Sequence, residues 1–406
     1  MLAFRYSAFR LYWVGQVTTN VGTWMQFVAT GWLVLELTDS PADLGITAAL
    51  QGLPTAVVML FGGLIADRFN RYRLVLIVGA MRLVPDVTLA VLVGSGHVQV
   101  WHIFAYALAN GVMDGLNSPA GQALLPSTVP RSALMSALSL NAIVYQGSAV
   151  LGPTIAGLVL ATWGTAANFY INVLSDVLSL ILLLMMRVES PKMEAARLAF
   201  GSVIEGLRYA WRRSELRFLL LTVASVSVLA RPYSALLSVM ARNVFQAGPQ
   251  AFGLMVTMPA IGTVVAGVIM ATMRNIPLAR AFLTMAATVC LVLVAFSNSP
   301  LFPLSLGLLV LVGASVTTSQ TLANTLLQRS IHERMRGRLM GLFGVCTIAA
   351  WKIGSLPFGY IAQVWGAPRA ITVGAVVLLV VVLVVIRSRV LLVLPAEPRD
   401  AEVTAS

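Results

Sequence analysis

The sequence predicts an all-α polytopic membrane protein, with twelve transmembrane helices in two pseudo-symmetric six-helix bundles, and three observations lead there. The first is composition: 58% of the 406 residues are hydrophobic and 10% charged, with a mean hydropathy of +0.88. A soluble domain carries about 25% charged residues. The second is spacing, because apolar stretches near the ~20 residues that a bilayer core demands recur from end to end. The third is the placing of the bases, which sit in short clusters between those stretches and not along one polar face. That distribution argues against nucleic acid as the reason for the +12 net charge.

In chain order the spans are expected at 11–36, 43–66, 74–94, 99–122, 135–161 and 167–187, then at 217–240, 251–273, 280–297, 301–324, 340–364 and 369–387. Arg5 and Arg10 lead directly into the first, with no small-residue cleavage site, so it reads as a retained helix and not a signal peptide. The longest polar connection, 188–216, separates an N-terminal bundle (1–187) from a C-terminal one (217–387), and a polar tail follows over 388–406. Within the connection Phe200, Val203, Ile204, Leu207 and Trp211 recur at helical spacing, flanked by Arg208, Arg212 and Arg213. This is the pattern of an amphipathic linker helix lying on an anionic membrane surface.

Orientation follows from the 27 Lys and Arg residues. Arg242 and Arg369 fall in loops on one side, Arg82, Arg231 and Lys352 inside spans, and the rest on the side of the N-terminus. The positive-inside rule then places both termini in the cytoplasm, on an inner (plasma) membrane crossed an even number of times. The two halves also repeat weakly. Leu134-Met135 precedes Gly152-Pro153, Gly157 and Trp163-Gly164, while Leu339-Met340 precedes Leu356-Pro357 and Trp365-Gly366. Duplication of this kind sets a solute site between the halves, near the bilayer midplane.

Other chemistries find no support. Cys290 and Cys346 lie in apolar stretches, and His97, His102 and His332 lack ligand spacing, so neither a metal nor a cofactor is expected. No HExxH, Gly-x-Ser-x-Gly or Walker-type lysine loop is present, which argues against an enzyme or an ATP-driven pump.

The most informative segment joins the second and third spans: Gly62-Gly63-Leu-Ile-Ala-Asp67-Arg68-Phe-Asn-Arg71-Tyr-Arg73. A small residue lets helices approach, and a carboxylate among arginines can latch two rigid bundles and release them. The segment resembles the cytoplasmic loop signature of the major facilitator superfamily in spacing, loop number and membrane side. Across nearly the whole chain the resemblance is to that superfamily's transmembrane secretion effector branch, which includes enterobactin-exporter-like and macrolide-efflux-like proteins. It is carried by Phe9-Arg10-Leu-Tyr-Trp-Val-Gly15-Gln16, Gly22-Thr23-Trp24-Met25-Gln26, Ser40-Pro41, Pro119-Ala-Gly-Gln122, Arg231-Pro232-Tyr233 and Arg336-Gly337-Arg338. The resemblance implies the twelve-helix fold, an efflux role, a gate at Gly63, Asp67, Arg68, Arg71, Arg73, Arg336 and Arg338, and a cavity lined by spans one, four, seven and ten. Span five, with Gly152, Pro153 and Gly157, resembles the superfamily's antiporter signature and implies a bent helix at the seam between halves. Two departures stand out. No arginine occurs at Ala109-Asn110-Gly111, and Gly121 occupies the place where the branch's span-four motif carries one.

A charge at the bilayer centre costs about 3 kcal/mol on insertion scales, so any present should be paired, wet or used. Six qualify: Arg82, Asp86, Asp114, Asp176, Arg231 and Lys352. Asp114 shares one helix face with Asn110 and Asn117 and is the candidate coupling carboxylate, the alternative being a structural hydrogen bond. Arg231, beside Pro232, either pairs with Asp114 or binds an anionic substrate. Arg82 and Asp86 are one turn apart and read as a structural pair, Asp176 ranks below Asp114, and Lys352 lies near the seam. Thr317, Gln320 and Asn324 on span ten, and Asn20, Thr23 and Gln26 on span one, are suited either to orienting a ligand or to helix–helix bonding. The expected activity is proton-coupled efflux of a small amphipathic organic compound by alternating access, with a small-molecule substrate, protons and the bilayer as partners. Uptake or uncoupled facilitation by the same fold is the alternative.

Overall fold

Hydrocarbon offers the backbone no hydrogen-bond partners, so a spanning chain must satisfy its own N–H and C=O groups. The computed structural model does so with helices and holds no β-strand among its described residues, which are 2–68, 70–186, 201–273, 276–331, 333–388 and 390–393. Within these, the side chains of 60–68, 118, 119, 123, 201–204, 334, 392 and 393 lie outside the description.

Four helices open the chain: α1 (Ser7–Thr38), α2 (Pro41–Arg68), α3 (Arg71–Gly94) and α4 (Val100–Leu124). The next helical stretch, Leu134–Met185, breaks at Gly164 into α5 (134–163) and α6 (165–185). After a linker helix at Gly201–Arg212 come α7 (Ser214–Val244), α8 (Pro249–Thr272), α9 (Leu278–Ser297), α10 (Phe302–Ser330), α11 (Met335–Trp365) and α12 (Ala367–Ser388). Nine stretches of the described residues are long and apolar enough to cross a bilayer, one of them holding both α5 and α6. The other two of the twelve spans are α1 and α4, which carry Asn20, Thr23 and Gln26, and Asn110, Asp114 and Asn117. Several helices outrun the expected limits, as α1 does from Ser7 and α10 to Ser330. Helical bonding continues into the headgroup zone, where polar side chains are tolerated.

The weak repeat has a structural counterpart. Gly164, after Trp163, turns α5 into α6 with φ 80° and ψ 177°, and Gly366, after Trp365, turns α11 into α12 with φ 85° and ψ 154°. This backbone region is essentially closed to residues with a Cβ.

Packing divides the molecule by depth. On the side of the termini, the near side, each half has its own core. Phe9, Tyr12, Leu74, Leu124 and Met186 form one, and Leu216, Leu219, Phe282, Leu327 and Phe343 the other. On the far side a single core crosses the halves, with Trp32, Leu35 and Phe169 against Phe252, Phe296 and Phe358. Trp32 and Phe252 stack there with centroids 6.2 Å apart. Two helix pairs make the seam. A Cβ on Gly253 (α8) would lie 2.5 Å from Pro153 O and 2.9 Å from Gly157 Cα of α5; one on Gly359 (α11) would lie 3.0 Å from Gly45 Cα of α2. Backbone meets backbone at both, a close approach that only glycine permits. The halves are thus sealed on the far side and carry separate cores on the near side.

The linker helix docks on the C-terminal half through Glu205 Oε1 and Arg338 Nη1, 2.6 Å apart, with Leu207 and Trp211 exposed. Of the expected apolar positions, Phe200 falls outside the described residues, and Val203 and Ile204 outside the described side chains.

Candidate functional site

The site begins with a close helix contact. Gly111 of α4 packs on the Gln51 backbone of α2, and Thr55 Oγ1 donates to Gly111 O at 3.1 Å. That approach brings the Gln51 amide onto Asp114, Nε2 donating to Oδ2 at 3.0 Å. Asp114 Oδ1 lies 3.4 Å from Arg82 Nη1 of α3, and its Oδ2 lies 3.6 Å from Lys352 Nζ of α11. One carboxylate therefore faces an arginine of its own half and a lysine of the other. Gly52 lets α11 come this near, since a Cβ there would collide with Lys352 Cβ at 2.5 Å.

Behind this pair lies a drier layer. Arg82 Nε is 3.7 Å from Asp86 Oδ2, whose side chain is wholly buried, while that of Asp114 is 27% exposed. Asp86 Oδ1 accepts from Tyr106 OH at 2.8 Å and from Gln26 Nε2 at 3.0 Å. Asp86 Oδ2 has no hydrogen-bond donor among the described residues, and Asp176 of α6 is buried within electrostatic reach of both Asp86 and Arg82. Asp176 Oδ2 in turn accepts from Asn172 Nδ2 at 3.3 Å. Three acids and two bases from α3, α4, α6 and α11 thus form one network at the centre of the molecule. A buried network of this kind can hold, release and relay protons as its geometry changes.

Several expected sites take other partners. Arg231 does not pair with Asp114, because Arg82 and Lys352 occupy that carboxylate; its Nη1 instead donates to Thr347 O at 2.8 Å. Gln26 is buried and donates to Asp86. Thr317 bonds Thr263 of α8 at 2.7 Å, and Asn20 bonds Gln16 of its own helix. Among the described residues, Asn110 is buried with its Oδ1 unpartnered, Asn117 is half-buried, and Gln320 Nε2 is buried without an acceptor. Asn324 accepts from Gln328. Gly157 lies at the seam with Pro153, whereas Gly152 packs inside its own half against Trp24 and Val21.

Of the gate residues, Gly63, Asp67 and Arg68 fall outside the described side chains. Arg71 and Arg73 open α3, capped by Asn70, whose Oδ1 accepts from Arg73 N at 3.1 Å. Arg336 bonds Gln328 of its own half, and Arg338 bonds Glu205 of the linker helix, so among the described residues neither bridges the two halves. Sequence reasoning missed a far-side bridge. Arg242 of α7 donates to Leu35 O at 2.6 Å and lies 3.6 Å from Asp39, capping the C-terminus of α1 from the other half. Read as a loop base, it gave no sign of this. Gln51 and Tyr106 gave none either, since uncharged polar residues in spans are common.

Comparisons with known proteins bear on this geometry. A profile of the family described as transmembrane secretion effector matches residues 1–401. The staphyloferrin A transporter of Staphylococcus aureus is 24% identical, aligning 87% of this chain with 89% of that protein. The multidrug efflux pump Tap of Mycolicibacterium fortuitum is 26% identical (86% and 88%), and the enterobactin exporter EntS of Escherichia coli 25% identical (87% and 84%). Among solved structures, the nucleoside transporter NupG superposes with a TM-score of 0.75 at 11% identity, covering 94% of this chain and 99% of that one. That last likeness concerns the fold.

Proposed function

The chain belongs to the transmembrane secretion effector family, and on that premise we propose that it exports a small amphipathic organic compound, drug-like or siderophore-like, in exchange for protons. Its membership makes it a multi-pass membrane transporter and not an enzyme. The efflux direction draws support from the named activities of the multidrug pump and the enterobactin exporter. The charge distribution favours an inner membrane with both termini in the cytosol. In that orientation the far-side seal closes the outer face, and the structure corresponds to a cytosol-facing state.

One observation carries the coupling assignment: Asp114 binds Arg82 in its own half and Lys352 in the other. An ionised Asp114 ties α4 to α11. A protonated one loses its attraction for both cations and frees the halves to rock. The proton is taken up when the cavity faces outward and released to the cytosol, which restores the tie, and substrate binding in the cytosol-facing state breaks it again for the loaded return. Asp86 and Asp176, linked to Asp114 through Arg82, complete the relay. The loop around Gly63, Asp67, Arg68, Arg71 and Arg73 is the near-side latch of the opposite state.

The test is substrate flux in inverted vesicles with and without an imposed proton gradient. Asp114→Asn should cut gradient-driven transport at least tenfold, roughly the loss of one charge-assisted interaction, while the protein stays folded and still exchanges substrate downhill. Undiminished gradient-driven efflux in that variant would remove Asp114 from the role.

A further inference from the structure

Arg231 differs from the other intramembrane cations in its partners, although Lys352 lies within electrostatic reach and shares the Trp351 ring. Arg82 and Lys352 each have a carboxylate within 4 Å, whereas Arg231 has none among the described residues. Its surroundings are irregular on two sides. α7 widens into a π-helical turn over Val226–Ala230 and tightens into a 3-10 turn over Arg231–Leu236, with Pro232 near its start. α11 widens likewise over Val345–Ala349. The two irregular stretches meet in one bond, Arg231 Nη1 to Thr347 O. Departures from α geometry inside a spanning helix need something to repay them, and π turns collect at functional positions.

The guanidinium centre sits 5.4 Å from the centroid of the Trp351 ring. That face steadies the cation without neutralising it. A guanidinium carries several N–H donors in a fixed fork, and among the described residues only one is used here. None of the remaining nitrogens is sealed off without a partner, and the residue is half-buried. Tyr145 of α5, 57% exposed, lies within electrostatic reach from the opposite half. The free part of the fork is therefore not sealed inside the protein.

We propose that Arg231, held by Thr347 O and Trp351, is an anion subsite that takes the carboxylate of an organic anion, the apolar body of which occupies the rest of the cavity. The proposal deepens the export reading and rests on it, naming the charge of the transported compound. An unpaired cation at this depth is costly. A carboxylate on the fork supplies both the missing charge and paired acceptors, which a lysine cannot engage in the same way.

The test uses a matched pair of probes, 1-naphthoate and 1-naphthamide, with binding to the purified full chain in lipid nanodiscs read by titration calorimetry. Wild type should bind the carboxylate at least tenfold tighter than the amide, roughly one charge-assisted interaction. Arg231→Gln should abolish that preference, and Arg231→Lys should keep part of it. Arg231→Glu should reverse it in favour of 1-naphthylmethylammonium, a gain that a misfolded variant cannot produce. Equal affinities in wild type, no binding of either probe, or an undiminished preference in Arg231→Gln would each overturn the proposal. Binding without a gradient does not depend on direction or coupling. Carboxylate preference in a chain that fails to export would therefore sink the export reading and leave the subsite, and export without preference the reverse.

Discussion

Gly253→Ala offers a sharp test of the seam. The added Cβ would fall 2.5 Å from Pro153 O and 2.9 Å from Gly157 Cα. Both neighbours are backbone, so no side chain can swing aside. Relief requires α5 and α8 to part by roughly 1 Å at this level, and overpacking on that scale costs about 1–3 kcal/mol. The cost falls on the far-closed state alone, because the contact is absent once the far side opens. The ratio of far-open to far-closed molecules should therefore rise by about 5-fold to 150-fold. Spin labels on Leu37 of α1 and Asn243 of α7, both exposed on the far side, with Cys290 and Cys346 replaced, would report it as a new, longer distance in pulsed electron resonance. An unchanged distance distribution in a folded variant would refute the argument that glycine contact sets the balance.

Three further outcomes are expected. Asp114→Asn and Lys352→Met, measured singly and together in gradient-driven flux, should be strongly non-additive, with a coupling of about 1–3 kcal/mol for residues in direct contact; additive effects would mean that the cross-half pair has no part in coupling. Arg242→Ala removes the cation that caps α1 from the other half, and should shift the same spin-label distances toward the open form by about 0.3–1 kcal/mol, an effect that salt weakens. Gly164→Ala forces a Cβ into a backbone region at φ 80°, and should lower thermal stability by about 1–3 kcal/mol without altering the carboxylate preference of Arg231.

Much of the fold could be read from sequence because the bilayer imposes one constraint on every span. Twenty apolar residues in a row have few other uses, and the expected spans each fall on a helix of the structure. The charges of the site were equally visible, since Arg82, Asp114 and Lys352 stand out against apolar neighbours. Their partnerships were not visible, because partners depend on which helices touch. Asp86 and Asp176 read as separate residues on spans three and six, yet are both buried within electrostatic reach of Arg82. Arg231 read as a partner for Asp114 or for an anionic substrate, but helix placement gives that carboxylate to Arg82 and Lys352. Gly253 and Gly45 carried no signal of their own, since only the backbone across the seam makes them necessary.

The stacking of Trp32 on Phe252 has an optical consequence. The two rings belong to opposite halves and sit on the plane along which the halves part. Each transport cycle must therefore move an indole from a ring-lined, water-poor niche to a hydrated edge. In a background with the other tryptophans replaced, its emission colour becomes a built-in clock for turnover, needing no attached dye.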